Sequence, residues 1–168
     1  HERSLALKKE LDDKVGIGMS YANLGVVYEI KGNYNRSISY FMASLKIDEE
    51  IGDRQGISAA YNNIGIVYNH INELDKALEY YTKALELKEE VNDKSGKGGL
   101  LMNIGLIHKN HGDLDKALEM LEEGYRLQLE GGDLGNSITT LNNIAMIHDK
   151  LGNRQRAIDS CNKALDFA

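Results

Sequence analysis

Proline and tryptophan are absent from this 168-residue chain, and cysteine occurs once, at Cys161. Without proline, the helix stops must come from other residues. A lone thiol excludes an internal disulfide, so nothing ties the fold to an oxidising compartment. No apolar run approaches the roughly 18 residues of a membrane span, and no signal peptide opens the chain. A net charge of −6, with both signs spread along the chain, disfavours a nucleic-acid backbone or an anionic membrane as the main partner. There is no phosphate-binding glycine loop, zinc-type cysteine pairing or nucleophile elbow. No enzymatic activity, metal or cofactor is therefore expected. The chain opens at His1 rather than methionine and reads as a piece of something longer. The expected compartment is the cytoplasm, although a targeting segment could lie outside this piece.

What is present is a repeat. Four blocks align without a gap at a period of 40 residues: YANLGVVYEIKGNYNRSISYF from Tyr21, YNNIGIVYNHINELDKALEYY from Tyr61, LMNIGLIHKNHGDLDKALEML from Leu101 and LNNIAMIHDKLGNRQRAIDSC from Leu141. Such a period implies stacked supersecondary units. Tyr21, Leu24, Gly25 and Tyr28 recur at three- and four-residue steps, the spacing of one helical face, and Ala77, Leu78, Tyr81, Ala84 and Leu85 do the same in a second helix. Asp13, Asp53, Asp93 and Asp133 precede the first helices, where each can cap free N–H groups. Gly32, Asn72, Gly112 and Gly152 follow them, as residues that tolerate a left-handed stop. The expected organisation is one array: the tail of a preceding repeat in residues 1–13, then repeats at 14–53, 54–93 and 94–133, and a truncated repeat at 134–168. Neither end carries a polar capping helix, which predicts exposed apolar faces and weak end-to-end self-association.

These residues resemble the tetratricopeptide repeat over essentially the whole chain. Tyr61, Ile64, Gly65 and Tyr68 fill the aromatic–leucine–glycine–tyrosine part of that pattern, and Ala77 and Tyr81 fill the later alanine–phenylalanine part. Gly25, Gly65, Gly105 and Ala145, with Ala77 opposite, let two helices approach closely. The resemblance implies an all-α fold, a right-handed α-solenoid of helix–turn–helix repeats without a β-sheet. The common repeat has about 34 residues and a proline after its second helix; this one is longer and has none. Similar long repeats occur in kinesin light chain, in the adaptor that binds GoLoco motifs, in Gram-positive peptide-pheromone receptors and in bacterial signalling proteins, the last being nearest in phrasing.

At about 100° per residue, Met19, Asn23, Val26 and Ile30 point away from the face that packs. Equivalent stripes are Ala59, Asn63, Ile66 and His70; Gly99, Asn103, Leu106 and Asn110; and Thr139, Asn143, Met146 and Lys150. By resemblance these stripes line a concave groove. Asn23, Asn63, Asn103 and Asn143 can each hydrogen-bond an extended peptide's backbone whatever its side chains. They can equally tie neighbouring first helices together. Asn62 and Asn142 widen the polar strip. Val26, Ile66, Leu106 and Met146 offer apolar contact to a ligand or pack against adjacent helices. Relatives that clamp a terminal carboxylate carry a lysine where this chain has Ala22, Asn62, Met102 and Asn142, so backbone reading is expected instead.

Gly96, Gly98 and Gly99 suggest fraying or a hinge at the start of the third first helix, or close approach of a ligand backbone at Gly99. His108 and His148 stand where Tyr28 and Tyr68 stand, so they read as seam residues, and His108 with His111 makes a poor metal site. Cys161 aligns with Phe41 and Tyr81 and is expected to be buried. Glu122 and Glu123 read as surface. The leading functional reading is a module binding a protein or extended peptide; the alternative is a regulatory segment controlling an attached kinase, cyclase or transcription factor.

Overall fold

The computed structural model describes residues 13–167, so the expected preceding helix tail lies, apart from Asp13, outside the described residues. Eight α-helices and no strand occur among them: α1 Lys14–Ile30, α2 Tyr34–Ile51, α3 Arg54–His70, α4 Leu74–Glu90, α5 Lys94–His111, α6 Leu114–Glu130, α7 Leu134–Lys150 and α8 Arg154–Leu165. This is the all-α helical-repeat architecture of the solenoid class.

The punctuation is local chemistry. Asp13 accepts from the Gly16 amide at 2.9 Å, Asp53 from Gly56 at 3.0 Å, Asp93 from Gly96 at 2.8 Å and Asp133 from Asn136 at 3.1 Å. Each satisfies a donor that the first turn leaves without a helical partner. Gly32, Asn72, Gly112 and Gly152 all adopt positive φ. So do Gly52, Asn92 and Gly132, which end the second helices. Left-handed residues thus recur every twenty positions, and every described helix except the 12-residue α8 has 17 or 18 residues.

Within a hairpin, small residues set the distance between helices. A Cβ on Gly25 would lie 2.6 Å from the Phe41 ring, and one on Gly65 would lie 2.7 Å from the Tyr81 ring. At Gly105 it would meet Leu121 at 2.9 Å. Ser37 donates its hydroxyl to the Gly25 carbonyl at 2.9 Å, and Ser44 donates to that of Gly18 at 2.9 Å. Both bonds are buried, so two polar groups are satisfied where the helices touch.

The chain forms two compact units, divided between Leu87 and Lys88 near the end of α4. In the first, Phe41 and Leu45 of α2 are buried against Ala60, Ile64 and Val67 of α3. In the second, Ala117 and Leu121 of α6 are buried against Ile144 and Ile147 of α7. In these two cases a second helix is covered by the first helix that follows it. Lys14 pairs with Glu50 at 3.2 Å and Lys94 with Glu130 at 2.8 Å, joining the start of a hairpin to its end; exposed pairs of this kind contribute little.

Candidate functional site

In the first unit, the outward stripe of α1 is open. Met19 is 61% exposed, Val26 40% and Ile30 81%, and Asn23 is exposed between them. On α3, Asn62, Asn63 and Ile66 are half-buried and His70 is exposed. His70 Nδ1 stands 3.6 Å from Glu29 Oε1, and its ring meets Tyr34 edge-on at 5.9 Å. The imidazole thus links the ends of α1 and α3 at one edge of the stripe.

In the second unit, Asn103 and Leu106 are half-buried and Asn110 is exposed. On α7, Met146 is 57% exposed, with Asn142 and Lys150 exposed beside it. Asn143 is half-buried and engaged on both sides. Its carbonyl oxygen accepts from Lys109 Nζ at 3.1 Å, and its amide donates to the Thr139 carbonyl at 3.0 Å. The Lys109 contact is a link between neighbouring first helices, one of the two roles open to the asparagines. Burial, and then the nearby Lys150 charge, lower the Lys109 pKa.

Two sequence expectations need correction. Gly98 is not at a frayed end or a hinge. It is buried inside α5, where an added Cβ would strike the Gly124 carbonyl oxygen at 2.7 Å. Cys161 is exposed rather than buried. The equivalent seat of Phe41 is covered by α3, and among the described residues no helix follows α8. Gly99 has nothing within 4 Å of an added Cβ, so the space beside it is open.

Two features of the second unit escaped the sequence reading. A cleft of about 590 Å³ between α7 and α8 gathers Asn142 and Met146 with Ile158 and Cys161. Another, of about 310 Å³, lies among α6, α7 and α8, where Tyr125, His148 and Ser160 meet. The signal for the second was the loss of the aromatic at the fortieth position: Tyr40, Tyr80, Met120, Ser160. Among the described residues, no group of three or more His, Cys, Asp or Glu side chains is placed to hold a metal ion. No described helix is long and apolar enough to cross a membrane.

The tetratricopeptide-repeat family model matches residues 16–90 and 98–168. Among solved structures, the chain is similar to BtubC (BKLC) from P. vanneervenii, with 20% identity and a TM-score of 0.79 over 92% of this chain and 64% of that one. It is also similar to the apo form of RapI, with 20% identity and a TM-score of 0.85 over 96% of this chain and 45% of that one. At such identity the likeness concerns the fold. The chain spans less than two thirds of either structure. No curated protein sequence matches it.

Proposed function

Because this chain belongs to the tetratricopeptide-repeat family, whose fold is generally a protein-interaction module, we propose that it binds an extended peptide or protein segment along the outward faces of its first helices. The observation that carries the reading is the carboxamide repeated at one helical position, Asn23, Asn63, Asn103 and Asn143, on the face turned away from the hairpin seam. A carboxamide offers donors and an acceptor that match a peptide backbone without selecting side chains. The half-exposed Ile66 and Leu106, with the more open Val26 and Met146, supply apolar area beside them. In the first unit His70 and Glu29 would border the ligand; in the second, Asn110, Lys109 and Lys150 would.

Asn143 would exchange its Lys109 contact for a ligand contact, a near-neutral trade at a half-buried site. Asn62 and Asn142 broaden the polar strip. The test is a pull-down with the intact protein, repeated with Asn63→Ala and Asn103→Ala. The reading expects captured partners to fall away in the double variant while helicity is kept. Unchanged capture by that variant would remove the asparagines from the proposal.

A further inference from the structure

In the first unit, each hairpin fills a particular seat with its own ring. Tyr40 of α2 stacks on Tyr28 at 5.3 Å with 16° between the planes, beside Tyr21 at 6.2 Å. Tyr80 of α4 stacks on Tyr68 at 5.4 Å with 14° between the planes, beside Tyr61 at 6.0 Å. Cations attend these rings. The Arg36 guanidinium is 5.3 Å from the Tyr28 centroid, Lys76 Nζ is 5.4 Å from that of Tyr68, and Lys83 Nζ is 5.0 Å from that of Tyr80.

The fourth repeat keeps the cations and loses the ring. Arg156 occupies the position of Arg36 and Lys76, and Lys163 that of Lys83, but the seat of Tyr40 and Tyr80 is Ser160. In the third repeat Met120, a flexible apolar side chain, takes that seat. At Ser160 the structure has a cleft of about 310 Å³ instead. Its floor is Leu141, Ile144, His148 and Ser160, between 3% and 8% exposed. Its rim is Arg156 and Lys163 against Glu122 and Asp159, all exposed.

We propose that this cleft is a binding site for a neutral monocyclic aromatic ring of the phenol class. Its volume is at the small end of the roughly 300–1,000 Å³ range of ligand sites. His148 provides a flat ring where Tyr28 and Tyr68 provide the stacking partner in the first unit, and offset stacking favours a second aromatic there. Arg156 and Lys163 stand where cations attend the ring faces. Glu122 and Asp159 balance them, so the rim has no surplus charge to hold a carboxylate or phosphate. His148 Nδ1 is buried without a hydrogen-bond partner, so this wall of the cleft is not a completed polar network. The site lies on the side of α7 opposite Asn143 and Met146, and it stands whether or not the asparagine stripe binds a peptide.

The test is titration of the 168-residue chain with p-cresol, followed by ¹H–¹⁵N correlation spectra. Saturable shifts at the Leu141, His148 and Ser160 amides are expected, with affinity on the order of millimolar for so small a ligand. Ser160→Tyr should fill the seat and abolish them. Lys163→Gln, which leaves the core intact, should weaken binding about two- to fivefold. Tighter binding of N-acetyl-tyrosine amide than of p-cresol would assign the ring to a polypeptide side chain; the reverse would assign it to a free phenol, and either order supports the site. No saturable shift at these amides would overturn the proposal. So would equal affinity for 4-methylcyclohexanol, or undiminished binding to folded Ser160→Tyr.

Discussion

Gly98 and Gly124 meet backbone to backbone across the α5–α6 hairpin. A Cβ on Gly98 would stand 2.7 Å from the Gly124 carbonyl oxygen, and one on Gly124 would stand 2.9 Å from the Gly98 carbonyl oxygen. Because the obstacle is backbone, neither helix can yield by turning a side chain. Gly98→Ala or Gly124→Ala should each cost about 1–3 kcal/mol in urea denaturation. Gly99→Ala, one residue along and facing open space, should instead stabilise by about 0.5–1 kcal/mol. Opposite signs at adjacent glycines are the expected result.

At Gly65 the obstacle is the Tyr81 ring, which is 1% exposed and fixed by its packing. Gly65→Leu should lower stability by about 3 kcal/mol or more, since overpacking adds to displacement of that ring. The midpoint of chemical denaturation checks it. A variant as stable as the parent would show that the seam lies elsewhere.

Two aspartates should respond to pH with opposite signs. Asp48 is 8% exposed, and burial raises its pKa, with the nearby Asp53 charge adding to the effect and the Ser44 hydroxyl opposing it. The folded state therefore holds this proton more tightly than the unfolded chain, and the associated stability is lost as pH rises through the folded value. Asp48→Asn should melt higher than the parent at pH 7, and the gap should close below about pH 4.

Asp93 is the converse. The Lys88 ammonium, 2.8 Å away, and the Gly96 amide hold its pKa low. Its contribution is present above the ordinary aspartate value and is lost as pH falls through the folded one. Asp93→Asn keeps a capping side chain but loses the ion pair, so it should cost about 0.2–1 kcal/mol at pH 7. Thermal melts of both variants from pH 3 to 8 distinguish the two signs.

The face of α8 offers Ile158, 46% exposed, and Leu165, 71% exposed, beside the exposed Cys161. The equivalent face of α2 is buried against α3. Weak, concentration-dependent self-association is expected in sedimentation, and Ile158→Glu should remove it. Maleimide should label Cys161 without denaturant and block association in the same way. A strict monomer at high concentration would contradict this prediction.

Much of the fold was legible because its signals are local. An aspartate before a helix and a glycine or asparagine after it act within a few residues, so Asp53 and Asn72 carry their own meaning. The seam was legible because Gly65 and Tyr81 recur in register. Gly98 was misread because a helical glycine shows its purpose only through the partner it touches, here Gly124. Cys161 was misread because its burial depends on a covering helix rather than on its own position. For the candidate site, the direction in which Asn143 points followed from helical geometry. Its engagement with Lys109, 34 residues earlier, depends on the spacing of two helices, which periodicity does not contain.

The most direct measurement of the central claim is a footprint. Peptides selected from a random library on the intact chain would be titrated into isotope-labelled protein, following the side-chain amide resonances of its asparagines. The account predicts that bound peptides shift the carboxamides of Asn23, Asn63 and Asn103, together with the methyl groups of Ile66 and Leu106. Selected peptides that leave those resonances untouched, and perturb only the second helices, would contradict it.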